Sequence, residues 1–242
     1  MADGALELEP LAPYQGRRME QIVVAVRTAI DDGRMKPGVK YSVYQLAEVL
    51  GISRTPVREA LLRLEEVGLI KFEARQGFRI LLPRAKEIAE IFAVRLALEL
   101  PAVRRAATVS NPDLPPALMT QRRLMQDAAA AGDEKLFAQH DQRLHDLILA
   151  AADNARSRAI VKSLRETTRL LGATTADKTR TLYDIDNEHQ PIIAAVIDGD
   201  PARAEAAMRA HLENTGKLLV AQALRGDDST DCVDDIWSAV IY

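Results

Sequence analysis

Sulfur chemistry is nearly absent from this chain. Its single cysteine, Cys232, cannot close an internal disulfide and has no second thiol to build a cysteine-based zinc site. Any metal must therefore be held by histidine and carboxylate. Aromatic residues are scarce, with 4 Phe, 5 Tyr and 1 Trp, too few for a stacking platform that grips single-stranded nucleic acid or sugars. Duplex binding needs no such platform and stays open. No apolar run approaches the roughly 18 residues of a membrane span. Residues 1–10 are acidic where a signal peptide would be basic, so a cytoplasmic protein without a membrane partner is expected. What is present is ordinary globular material: 242 residues, 48% hydrophobic and 28% charged, enough for one large domain or two modest ones.

The net charge of −3 conceals an uneven distribution. Residues 17–84 hold 13 basic against 8 acidic side chains, whereas residues 85–242 hold 19 against 24, and residues 1–16 add three acids. A basic module that meets a polyanion, joined to an acidic remainder that does not, is the reading this supports. The predicted organisation is an arm over 1–16, a basic domain over 17–84, a helical domain over 85–225 and an acidic tail over 226–242, either loose or docked on a neighbour.

In the basic domain, Ile22, Val23, Val26 and Ile30 recur at helical spacing and Lys36-Pro37-Gly38 ends the run. A second helix is predicted from the cap Ser42 to Leu50 and, beyond Gly51, a third from the cap Ser53 to about Val67. Ile70 and Phe72, then Phe78, Ile80 and Leu82, alternate about Arg75-Gln76-Gly77 as a β-hairpin would. Ala47, Gly51 and Val57 supply the small residue, turn and buried branched residue that two crossing helices need. A purely structural hairpin would explain that much. The exposed residues say more: Ser53, Arg54, Thr55 and Arg58 stand at the start of the third helix, where side chains and free N–H groups can meet phosphate oxygens and guanine edges.

Beyond Pro83 the strand pattern ceases. Helices are predicted at about 85–108, 113–131, 133–152, 155–175, 187–198 and 201–224, an antiparallel bundle of about six. All four histidines fall here. Asp141 and His145 share one face with Phe137 and Ile148; His189 lies on a face with Ile192, Ile193 and Val196, and His211 with Met208, Thr215 and Leu218. His140 falls off these faces and reads as a surface residue. One histidine on an apolar face is ordinarily a satisfied core residue. Three, with an aspartate, would each cost a few kcal/mol if left unpartnered (~2–7 per polar group), and a divalent ion offers them one shared partner. Three imidazoles and a carboxylate suit Zn²⁺ first, Ni²⁺ or Mn²⁺ otherwise.

Two stretches carry a resemblance. Ser53–Leu61, SRTPVREAL, with the following LLRLEEVGLI and a wing ending in QGF, resembles the winged-helix domain of GntR-family transcription regulators. The resemblance implies a dimeric regulator, a repressor in the expected mode, that reads a palindromic operator in double-stranded DNA. Arg54 and Arg58 would contact bases, Ser53, Thr55 and Pro56 the backbone or neighbouring bases, and Gln76 and Gly77 the minor groove. Tyr44 stands where some members carry a DNA-touching arginine. The four inward residues, set as Asp141 and His145, Glu188-His189, and His211 beyond Gly199-Asp200, resemble the metal set of the FCD effector domain of the FadR branch, in its shorter VanR-like form. That implies a metal-assisted site for a small carboxylate effector. Arg95, in a stretch VRLALEL that also matches, and Arg169 could clamp that carboxylate, a structural salt bridge being the alternative for each. Two other functions fit parts of the pattern: a metalloenzyme using the three histidines and aspartate, and a metal-independent sensor of organic acids or acyl-CoA. No HExxH, GxSxG, phosphate-binding loop or dinucleotide-binding glycine motif accompanies the histidines, so no enzyme is expected.

Overall fold

A computed structural model of the chain describes residues 8, 10, 18–31, 33–66, 68–73, 77–81, 84–170, 180–224 and 231–241, except for the side chains of Asp31, Arg169 and Leu170. The chain divides into two compact units, residues 1–83 with 166–173, and residues 84–165 with 174–242.

The first unit is built from α1 (Arg18–Asp31), β1 (Lys40–Tyr41), α2 (Val43–Val49), α3 (Arg54–Glu66), β2 (Ile70–Glu73) and β3 (Gly77–Ile80). The Ser42 hydroxyl accepts from the Tyr44 and Gln45 N–H groups and starts α2. Gly51, at φ 68°, makes the turn, and the Ile52 N–H closes it on the Ala47 carbonyl. In the hairpin, Ile70 opposes Ile80 and Phe72 opposes Phe78, so one face is apolar and lies on Leu46, Leu61 and Leu64. A third strand absent from the sequence reading, β1, pairs antiparallel with β3 and gives the order β1-β3-β2. Two residues are too few to display a period. The pairing rests on Gly77: at φ 96°, a Cβ there would lie 2.1 Å from the Tyr41 carbonyl oxygen. A glycine is thus required for structure at a position also expected to face DNA.

Among its described residues the second unit contains only helices: α4 (Ala85–Thr108), α5 (Leu114–Ala131), α6 (Glu134–Ala151), α7 (Ala155–Leu170, of which the part from Glu166 belongs to the first unit), α8 (Leu182–Ile197), α9 (Pro201–Leu224) and α10 (Val233–Val240). The Asp200 carboxylate caps the first N–H groups of α9, with Pro201 at the first helical position. α8 begins five residues before the predicted 187, because Thr181 and Asp184 form a capping box that the apolar pattern does not reveal. Residues 233–240, expected within an acidic tail, are instead a seventh helix. Cys232 caps it, Asp234 and Asp235 complement its N-terminal dipole, and Trp237 is buried against Phe92. Among the described residues, no helix is long and apolar enough to cross a membrane.

Candidate functional site

On the first unit, one face of α3 is buried through Val57, Ala60, Leu61 and Leu64. The opposite face presents Ser53, Arg54, Thr55 and Arg58 to solvent, with Pro56 half-buried beside them. Each arginine lies over an aromatic ring, the Arg54 guanidinium 6.0 Å from the centre of Tyr44 and that of Arg58 5.5 Å from Phe72. Tyr44 is itself 60% exposed, on the same side as Arg54. Gln76 lies outside the described residues, and Gly77 begins β3.

In the second unit the helices bring together what the sequence scatters. His145 from α6, His189 from α8 and His211 from α9 are all buried, and their ligand nitrogens lie within 4.8 Å of one another. Asp141, one turn before His145, places Oδ1 3.0 Å from His189 Nε2 and 3.9 Å from His145 Nε2. The far nitrogen of each ring is tied down. His145 Nδ1 is 3.0 Å from Glu99 Oε2, His189 Nδ1 2.8 Å from the Ile185 carbonyl, and His211 Nδ1 2.9 Å from Glu188 Oε2. Each of those partners only accepts, so each Nδ1 carries the proton and donates. The Nε2 atoms are left with bare lone pairs, and those of His145 and His189 face each other at 3.2 Å. Two lone pairs cannot bond one another. This donor set, three imidazole nitrogens and a carboxylate with carboxylates and a carbonyl behind them, fits a divalent cation of intermediate softness.

The surroundings keep the donors in metal-binding form. Burial, reinforced by the Arg165 cation, pushes His145 down to about 3, and burial with the adjacent His189 pushes His211 down to about 4, so both are neutral near pH 7. Burial alone would raise the Asp141 carboxyl, but the Arg165 guanidinium beside it more than offsets this and holds it well below the usual range. Arg165 from α7 bonds Asp141 Oδ2 directly. Glu99 is likewise held low against its burial by Arg95, whose Nε donates to Oε1 at 2.7 Å.

Arg95 therefore sits beside the cluster, buried, with Glu99 as its partner and its guanidinium stacked on Phe92 at 4.6 Å. The Arg169 side chain lies outside the described residues. His140 is half-buried on another face, its Nδ1 3.1 Å from Gln121 Oε1. Arg165, and Arg180 with its bond to Glu188, had no part in the sequence reading of the site. Glu99 entered it only within VRLALEL beside Arg95, and Glu188 only as the residue before His189. Arg165 meets Asp141 across two helices, and nothing in its spacing announces the contact.

A winged helix-turn-helix joined to a helical bundle with a buried histidine cluster defines a class, the one-component transcription regulators that couple a DNA-reading head to a sensing domain. Residues 18–80 match the model of bacterial regulatory proteins of the gntR family, and residues 90–214 match the FCD domain. The chain belongs to the GntR family, in the FadR-type branch that carries an FCD domain, and is a DNA-binding transcription regulator. It is 31% identical, over 76% of its length and 80% of the relative's, to a protein of Paenarthrobacter nicotinovorans described as "Probable D-xylose utilization operon transcriptional repressor". It is 29% identical to the HTH-type transcriptional regulator LutR of Bacillus subtilis, over 78% of this chain and 95% of that one. The structure of Escherichia coli McbR/YncC superposes with a TM-score of 0.72 at 23% identity, covering 86% of this chain and 99% of that one, and shares the fold.

Proposed function

We propose that the protein is a homodimeric, ligand-responsive repressor of the cytoplasm, in which Asp141, His145, His189 and His211 hold one divalent cation, zinc in first place and nickel or manganese otherwise, and a small carboxylate effector binds beside it. The head, with Ser53 just before α3, Arg54, Thr55, Pro56 and Arg58 on it, and Gln76 and Gly77 at the wing, reads a palindromic operator. One observation carries the metal reading: each imidazole is tethered through Nδ1, so that the bare nitrogens of three buried histidines gather in one place, with Asp141 Oδ1 close to those of His189 and His145. When bound, the cation supplies a Lewis-acidic point for ligand oxygens. Charge supports an anionic effector. Asp141 and Glu99 are already matched by Arg165 and Arg95, so a divalent cation leaves the cluster positive by its full charge, and a carboxylate offsets it. In this reading Arg95 is a positioning residue that fixes Glu99, and through it the His145 tautomer. Effector contact from Arg169 remains part of the proposal.

The test is elemental analysis with thermal shift on the wild type and His189→Ala. The proposal expects about one metal per chain and a higher melting temperature in the wild type alone. Equal metal content and identical melting would reduce the histidines to core residues. A gel shift with DNA from upstream of the protein's own operon tests the head, and release of that DNA by small carboxylates tests the effector.

A further inference from the structure

The geometry points to the outward face of α4 as the seam where a second copy of this chain docks, an inference that rests on the homodimer proposed above. α4 turns Arg95 and Glu99 inward. On its opposite side Glu90, Val94, Ala97, Pro101, Arg104 and Thr108 are all exposed, spaced by four, three, four, three and four residues. They form one continuous stripe along the helix. Its centre is apolar and small: Val94 is 44% exposed, and Ala97 would let two backbones approach closely. Pro101 has no N–H, so the Ala97 carbonyl also lacks its usual helical donor.

The occupant is argued from charge. A symmetric dimer must present the same patch twice, so a helix on the two-fold axis has to complement its own reverse. α4 does so about Ala97. In an antiparallel crossing there, Glu90 at minus seven meets the partner's Arg104 at plus seven, Val94 meets the partner's Pro101, and Ala97 meets itself. Glu90 and Arg104 now hold exposed companions, Lys86 at 3.8 Å and Glu205 at 2.8 Å, and exchanging such solvent-exposed pairs costs little. Along the second half of α4 the seam widens into an open groove of about 670 Å³, floored by Leu96 and Leu100 and walled by Pro201 and Arg209 of α9. The first half of the partner's α4 would run along its edge. Because the inner face of the same helix carries Arg95 and Glu99, this placement sets the histidine cluster one helix away from the two-fold axis.

Charge reversal tests the pairing. Light scattering across micromolar concentrations should give about twice the 26.7 kDa chain mass for the wild type. Glu90→Arg and Arg104→Glu should each raise the dimer dissociation constant roughly tenfold or more, since like charges then meet twice across the axis. The double variant Glu90→Arg/Arg104→Glu should return it to near the wild-type value. Far-UV circular dichroism confirms that each variant is helical. A dimeric wild type whose single variants dissociate no more readily, or whose double variant is as weak as the singles, overturns the α4 seam and leaves the homodimer standing. A monomeric wild type overturns both.

Discussion

Arginine does two kinds of work in this chain, and burial tells them apart. Arg54 and Arg58 are exposed on the front of α3, where a guanidinium can bind guanine O6 and N7 together. Arg58→Ala should weaken specific operator binding by roughly 1–3 kcal/mol and leave melting unchanged, and Arg54→Ala should behave alike. Fluorescence anisotropy on operator and scrambled duplexes checks both. Arg95 is 3% exposed and answers Glu99, which is 1% exposed. Removing one member of a buried pair strands the other, so Glu99→Ala should destabilise the second unit by about 3–5 kcal/mol, read by urea denaturation. The inward histidines were legible in the sequence because each interrupts an apolar stripe. The choice between clamp and salt bridge for Arg95 was not, since both put the same residue on the same face. Only the 2.7 Å contact with Glu99 shows which partner it has.

At the scale of elements, caps and long periods were legible and short or docked pieces were not. α4 and α9 run over the predicted residues because each has 24 residues of repeating pattern and a clear start. β1 has two residues and exists through its pairing with β3. α10 has eight and exists through docking, since an isolated helix of that length is marginal in water. Its seat is specific. A Cβ on Gly216 would lie 2.3 Å from the Trp237 ring and 2.9 Å from Phe92. Gly216→Ala should therefore dislodge α10 while favouring α9 itself. Trp237 is the chain's sole tryptophan, so its emission should shift to the red in Gly216→Ala. Unshifted emission would mean that the helix accommodates the methyl in place.

For the whole molecule, three helices meet at the candidate metal set, so an ion bound only by the folded form should stabilise the entire second unit. Linkage gives about 2.7 kcal/mol at a free concentration one hundred times the dissociation constant. Removing metal with a chelator should lower the melting temperature of the wild type and leave His211→Ala unmoved, by differential scanning fluorimetry. The gathering of these helices was legible only as a set of inward faces. That His145 and His189 would meet nitrogen to nitrogen depends on how α4 and α5, each packed on both α6 and α8, hold those two helices, which no single helix encodes. One detail of that meeting governs which ions of the cell can compete. Asp141 gives one oxygen to Arg165, so it has a single oxygen to offer a cation, beside three nitrogens. Magnesium and calcium, the abundant hard cations, prefer several oxygens and their own water. A large excess of either should leave the melting of stripped protein unchanged, and the sensor would stay deaf to the two commonest divalent ions around it.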